Sequence, residues 1–80
     1  RLYIGSDKVW IVDFKSNQLP PSSQKDIPGS YIRQLALYQL LLKNIYPKKT
    51  VYCALLWTAN AKLDVLSDAL LDEQQLSSYI

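Results

Sequence analysis

The sequence predicts an α/β domain in the order strand, strand, helix, strand, strand, helix. Three observations carry this reading. Two apolar, β-branched and aromatic runs, Val9-Trp10-Ile11-Val12 and Val51-Tyr52-Cys53-Ala54-Leu55-Leu56-Trp57, have the composition of buried strands. Between them lies a Leu-rich stretch with no internal Gly or Pro, the strongest helix signal in the chain. A polar, Pro-containing loop separates the first of the two runs from that helix, so each element has its own punctuation.

Eighty residues make one small domain or a piece of one, and a hydrophobic share of 49% belongs to a globular chain rather than a disordered one. The first residue is Arg1 rather than Met, and a strand pattern begins at once, so an excised fragment is expected. Nine basic and seven acidic residues leave a net charge of +2, too balanced to argue for nucleic-acid binding by bulk electrostatics. One cysteine, Cys53, excludes an internal disulfide and fits a reduced, cytosolic setting. The absence of histidine excludes His-built zinc sites and Ser-His triads. No apolar run approaches the ~18 residues of a membrane span, and no signal-peptide pattern is present.

Taken in order, Arg1-Leu2-Tyr3-Ile4 predicts a short strand, Gly5-Ser6-Asp7 a turn, and Lys8 to Lys15 a second strand paired with the first as a hairpin. Tight antiparallel pairing puts Arg1 near Asp13 or just beyond it. Ser16 to Gly29 is a polar loop broken by Pro20, Pro21 and Pro28. Loops this long in compact domains tend to serve function or to move, and here a substrate-facing role and a plain connection weigh evenly. Ser30 is the expected N-cap of a helix running from Tyr31 to Tyr46, which Pro47 ends. Apolar residues on nearly all its sides predict that it is largely buried. Gln34 and Tyr38 are four apart and share a face, a spacing that also suits an ordinary buried hydrogen bond.

Thr50 to Thr58 is continuous in apolar character, which predicts a central strand covered on both faces. Ala59-Asn60-Ala61 is a turn, and Lys62 to Leu66 alternates as a shorter, half-exposed strand. Ser67 is the expected N-cap of a final helix reaching Tyr79, with Asp68 in its first turn. Trp10, Tyr52 and Trp57 all lie inside predicted strands and are assigned to the core.

The chain is organised around the strand Val9 to Lys15, which is apolar until it ends in an acid and a base. Side chains alternate along a strand, so Asp13 and Lys15 share one face and Phe14 points to the other. A buried charge is costly unless it is paired or holds a metal. Two chemistries satisfy that requirement. One is an Asp13–Lys15 ion pair at an exposed strand end. The other is a metal-dependent phosphodiesterase centre, in which the carboxylate holds a divalent cation while the ammonium orients the attacking water and offsets phosphate charge. The tripeptide by itself leaves both open.

Asp13-Phe14-Lys15, followed by Gln34-Leu-Ala-Leu-Tyr38, resembles the RecB-type branch of the PD-(D/E)XK nucleases. Within that branch the closer resemblance is to the C-terminal nuclease domain of AddA-type double-strand-break repair helicase–nucleases. Supporting stretches are Ile11-Val12-Asp13-Phe14-Lys15-Ser16-Asn17, Tyr31-Ile32-Arg33-Gln34-Leu35, Tyr46-Pro47 and Ala54-Leu55-Leu56-Trp57-Thr58. They occur in the family's order over nearly the whole chain. The resemblance implies a restriction-endonuclease-like core, β-β-α-β-β-α, with a mixed sheet flanked by helices. It also implies that residues 1–80 are a partial nuclease domain lacking its N-terminal part. Arg1-Leu2 matches the last two letters of the family's Gly-x-x-Asp-Arg-Leu stretch, whose acidic residue would immediately precede Arg1.

The resemblance assigns roles. Asp13 is a metal ligand, Phe14 lends its backbone carbonyl to the same metal, and Lys15 activates the hydrolytic water and stabilises the pentacovalent phosphate. Gln34 hydrogen-bonds within the site, and Tyr38 supports it or contacts nucleic acid. Ser16, Asn17 and Arg33 are candidate contacts to the DNA backbone. The implied cofactor is Mg²⁺ or Mn²⁺, with ATP used only in the helicase part of an intact protein. The implied partners are DNA, single-stranded or duplex ends, and an AddB-type subunit in a bacterial cytoplasm, with no membrane. Two other readings compete: a catalytically silent nuclease-like docking module, and another RecB-like exonuclease. An iron–sulfur version of the latter needs four thiolates, and this chain has one.

Overall fold

In the computed structural model, which describes residues 1–16 and 18–72, four strands form one mixed sheet in the order β1-β2-β3-β4. β1 (Leu2–Ile4) and β2 (Lys8–Lys15) form an antiparallel hairpin, closed by the Gly5 N–H donating to the Lys8 carbonyl at 2.7 Å. The helix α1 (Gly29–Ile45) then crosses over to β3 (Thr50–Trp57), which runs parallel to β2. A parallel neighbour cannot be reached by a tight turn, so the helix is the crossover. β4 (Lys62–Val65) returns antiparallel to β3. A last helix, α2, begins at 68 and is described to 72, and the rest of the stretch expected to reach Tyr79 lies outside the described residues. Ser67 caps it as expected, accepting from the Leu70 N–H through Oγ at 3.2 Å. The chain thus has the predicted α/β order.

The sheet face that carries Val9, Ile11, Val51, Cys53, Leu55 and Trp57 packs against α1 through Ile32, Leu35 and Ala36, with Leu66 and Leu71 closing the same cluster. Ile32, Leu35, Ala36 and Gln39 follow the i, i+3, i+4, i+7 spacing of one helix face. Burying a Leu or Val fully is worth about 1.5–3 kcal/mol. The Lys62–Asp64 pair is loose, at 3.7 Å, and its lysine is exposed. The core therefore decides the fold, and it lies on one side of the sheet.

Two expectations about cover are corrected. α1 is not buried all round: Leu37, Tyr38, Leu41 and Ile45 are exposed, because a helix lying on one sheet can bury only the stripe beneath it. β3 is central, but the described helices cover one of its faces. On the other face Tyr3, Phe14, Leu63 and Val65 are exposed. There Trp10 stacks on Tyr52 with ring centroids 4.7 Å apart. Of the three aromatics assigned to the core, Trp57 is buried there, while Trp10 and Tyr52 are half-buried on this opposite face.

The start of α1 also differs from expectation. Its cap is Pro28, and Ser30 already sits in the first turn. Pro28, at φ −52° and ψ 132°, leads the chain directly into the helix, and its carbonyl accepts from the Tyr31 N–H at 3.0 Å. No side chain caps this end.

Cys53 sits in the centre of the core, its Sγ 3.6 Å from the Leu35 carbonyl. Burial, reinforced by Asp68 and partly offset by Lys43, pushes its thiol up to about 12 from the ordinary 9.0. Only the thiolate reacts, so alkylation of the native protein at neutral pH is expected to be slow and to become rapid in denaturant. Rapid labelling of the folded chain would contradict this packing. The linkage has a definite sign. The folded-state pKa is raised, so the associated stability is complete below pH 9.0 and is lost as pH rises toward about 12.

Candidate active site

β2 delivers Asp13 and Lys15 to the α1 side of the sheet at the strand's C-terminal end, just beyond the buried Val9 and Ile11. Lys15 Nζ lies 2.9 Å from Asp13 Oδ2. The lysine side chain is 14% exposed and the aspartate 33%, so the pair is half-sunk with the carboxylate facing outward. On its other side the ammonium sits 3.7 Å from the centroid of the Tyr31 ring, a cation–π contact. The Lys15 backbone is pinned as well. Its carbonyl accepts from the Thr58 N–H at 3.1 Å and from Thr58 Oγ1 at 3.3 Å.

Tyr31 is itself held from two directions. Its hydroxyl donates to Gln18 Oε1 at 2.9 Å, which ties the loop after β2 back to α1. Its ring packs at a tilt of 48° on Trp57, with centroids 6.4 Å apart. Trp57 Nε1–H in turn donates to Asp64 Oδ2 at 2.8 Å. Asp64 is opposite Leu55, which is opposite Asp13, so the two carboxylates share a face across two strand spacings. Two strand spacings put their backbones about 10 Å apart, and the Asp64 carboxylate is engaged by Trp57 and Lys62.

The β1 side of Asp13 is different. Arg1 and Val12 exchange both backbone hydrogen bonds, which puts Arg1 one residue short of Asp13. In the same register Leu2 faces Ile11, and a position preceding Arg1 would face Asp13 on the same side of the sheet. That would be a non-hydrogen-bonded pair, the closer kind, with Cα atoms about 4.5 Å apart. Backbone groups alternate along a strand, so the Phe14 carbonyl points as the Val12 carbonyl does, toward β1 but past Arg1.

Among the described residues no three Cys, Asp or Glu side chains cluster as a metal set. What is present fits part of one: an accessible carboxylate and a neighbouring carbonyl that points past the end of the adjacent strand. Both are hard oxygen donors of the kind Mg²⁺ and Mn²⁺ take.

α1 lies over this same face. Tyr31 is at Lys15, and about two turns of helix later Tyr38 lines a groove with Leu2, Ile11 and Leu42. Gln34 lies between them on that flank, and its Nε2 donates to Tyr38 Oη at 3.4 Å, with both side chains exposed. Its hydrogen bond goes to Tyr38 and not to the Asp13–Lys15 pair. Ser16 is exposed in the turn after β2. Arg33 is exposed with its guanidinium over the start of α1, where a Cβ on Gly29 would lie 3.0 Å from Nη1. Asn17 is outside the described residues. The site neighbours that the sequence reading passed over are Tyr31, Gln18 and Thr58. Tyr31 had a signal, since Tyr31, Gln34 and Tyr38 follow i, i+3, i+7 on one flank. Gln18 and Thr58 had none.

A family profile, the PD-(D/E)XK nuclease superfamily, matches residues 1–79 of the chain. No curated protein and no solved structure matches it. Among the described residues no helix is long and apolar enough to cross a membrane.

Proposed function

Because the chain belongs to the PD-(D/E)XK nuclease superfamily, we propose that the Asp13–Lys15 end of β2 is a divalent-metal-dependent deoxyribonuclease centre. The superfamily is one of nucleases, generally metal-dependent, and DNA is the substrate it implies. The observation that carries the reading is the carboxylate and ammonium 2.9 Å apart on the helix-covered face, within a chain that the family profile matches almost end to end.

Asp13 and the Phe14 carbonyl would hold a Mg²⁺ or Mn²⁺ ion, together with an acidic residue on the adjoining strand. When bound, such an ion polarises a phosphoryl oxygen and acidifies a water. The remaining work falls to the chain's own side chains. The Lys15 ammonium has three donors and no acceptor. It holds the attacking water by a lone pair and offsets the charge that grows on the phosphate oxygens. Gln34 offers an amide to Lys15 or to a phosphate oxygen, and Tyr38 steadies that amide. Ser16, Asn17 and Arg33 contact the DNA backbone. In its finer form the proposal is an exonuclease module of an AddA-type helicase–nuclease, working on double-strand-break ends in the bacterial cytoplasm with an AddB-type partner, and with ATP used by the motor alone. The order of motifs along the chain supports this finer form.

The test follows from the register. An aspartate placed immediately before Arg1 is expected to tighten Mn²⁺ binding about tenfold or more over the 80-residue chain, read by titration calorimetry. Asp13→Asn in the extended chain should reverse the gain. Unchanged affinity in the extended chain would overturn the paired-carboxylate site. The 80-residue chain alone is expected to cut labelled single-stranded DNA little or not at all with Mg²⁺. Robust turnover lost on Asp13→Ala would show that the metal set is complete without a residue before Arg1.

A further inference from the structure

We propose that Tyr31 is the positioning residue for Lys15: its ring seats the ammonium at the end of β2 independently of Asp13. The inference rests on the nuclease reading for its functional consequence, but its geometry stands on its own.

Lys15 has two partners, and they differ in kind. Asp13 Oδ2, at 2.9 Å, belongs to the carboxylate that would also ligate a divalent cation in the proposed site. Once that carboxylate serves a cation, the ammonium loses much of its hold on it, since the two positive charges compete for the same oxygens. The Tyr31 ring, 3.7 Å from Nζ at its centroid, does not enter that competition. Its π face attracts the ammonium but offers no lone pair suited to a hard cation. Without such a seat, a four-carbon side chain released by Asp13 would swing into solvent over many rotamers. With the seat, the ammonium stays at the mouth of the site and turns its donors from Asp13 toward a water or a phosphate.

The ring is built to stay in place. Trp57, 1% exposed, backs it from the core, and the hydroxyl donates to Gln18 Oε1 across the loop. Tyr31 sits in the first turn of α1, a rigid element, rather than in the loop. Tyrosine is more than an anchor for the core here: its ring packs on Trp57 and takes the Lys15 ammonium, and its polar tip is on the loop.

The first readout is magnetic and needs no catalysis. The Lys15 ε-methylene resonances of the wild-type chain should be shifted upfield by the ring current. The shift should persist in Tyr31→Phe, which keeps the ring, and vanish in Tyr31→Leu. Unshifted wild-type resonances, or a shift that survives Tyr31→Leu, would overturn the seat. The wild-type measurement decides the matter even if Tyr31→Leu fails to fold.

The second readout is kinetic, in a cleavage-competent protein that carries this chain. Tyr31→Leu should lower kcat about tenfold with KM for DNA unchanged, which corresponds to about 1.4 kcal/mol of transition-state stabilisation. Tyr31→Phe should keep kcat within about twofold. If Lys15→Ala abolishes cleavage while Tyr31→Leu leaves kcat unchanged, the positioning role fails and the nuclease reading stands. If neither Asp13→Ala nor Lys15→Ala affects cleavage, the nuclease reading fails and with it the functional half of this inference, whatever the ring-current shifts show.

Discussion

Asp13→Ala is expected to lower DNA cleavage by a protein carrying this nuclease domain at least a thousandfold. Any ATP-driven unwinding by the same protein should be largely intact. The size of the effect follows from the proposed metal site: losing its carboxylate ligand would remove water activation and part of the charge stabilisation in the transition state. Each ~1.4 kcal/mol is a factor of ten in rate, so a loss of about 4 kcal/mol already reaches a thousandfold. The fold should survive. The Asp13 side chain is a third exposed, so its removal opens no void in the core, and the Lys15 ammonium keeps its contact with Tyr31. Lys15→Ala should depress cleavage comparably but bind Mn²⁺ more tightly than Asp13→Ala, because it leaves the carboxylate in place. Cleavage assays at saturating Mg²⁺, paired with circular dichroism of each variant, separate chemistry from folding. If Asp13→Ala cuts at the wild-type rate, the nuclease assignment fails, and a nuclease-like module that only docks becomes the better reading.

The parts of this molecule that sequence alone made legible are those set by local chemistry. β2 ends at Lys15, where its apolar character runs out, and Asp13 and Lys15 share a face because strand geometry allows nothing else. The hairpin turn, the crossover helix and the Ser67 cap were likewise written in their residue types. What escaped was decided by packing between distant segments. Composition suggested that α1 and β3 were enclosed, because a Leu-rich helix and an apolar strand look the same whether covered by one layer or two. Only the arrangement of layers reveals the single buried stripe. Gln39 is the clearest case. It is fully buried, and its Nε2 donates to the Val51 carbonyl and to Asp68 Oδ1, each at 3.2 Å, joining α1, β3 and α2. Its spacing matches the core stripe, but a glutamine carries no apolar signal of burial, while Gln34, marked by its spacing to Tyr38, lies exposed. Thr58 and Gln18 reach the site through contacts 43 and 13 residues apart in sequence, beyond any periodicity.

Trp57→Ala is expected to cost about 3–5 kcal/mol, the range for deleting a fully buried tryptophan. A domain of this length holds a net stability of only about 4–12 kcal/mol at ~0.05–0.15 kcal/mol per residue, so the variant should be barely folded or unfolded. Three losses combine at this position. A side chain 1% exposed leaves a cavity between β3 and α1. Asp64 loses the indole N–H that donates to it at 2.8 Å, and keeps the looser Lys62 contact at 3.7 Å. Tyr31 loses the ring behind it. Trp57→Phe keeps most of the volume and the contact with Tyr31 but not the hydrogen bond, so it should cost about 1–2 kcal/mol. Trp10→Ala is the matched control on the opposite face. That indole is only half-buried against Tyr52, and its loss should be milder than that of Trp57. Urea unfolding followed by circular dichroism, which does not depend on the deleted fluorophore, gives all three values. A Trp57→Ala midpoint equal to that of Trp10→Ala would mean that the weight of the fold does not rest on the α1 face. The seat of Lys15 would then need another support than the one Trp57 provides.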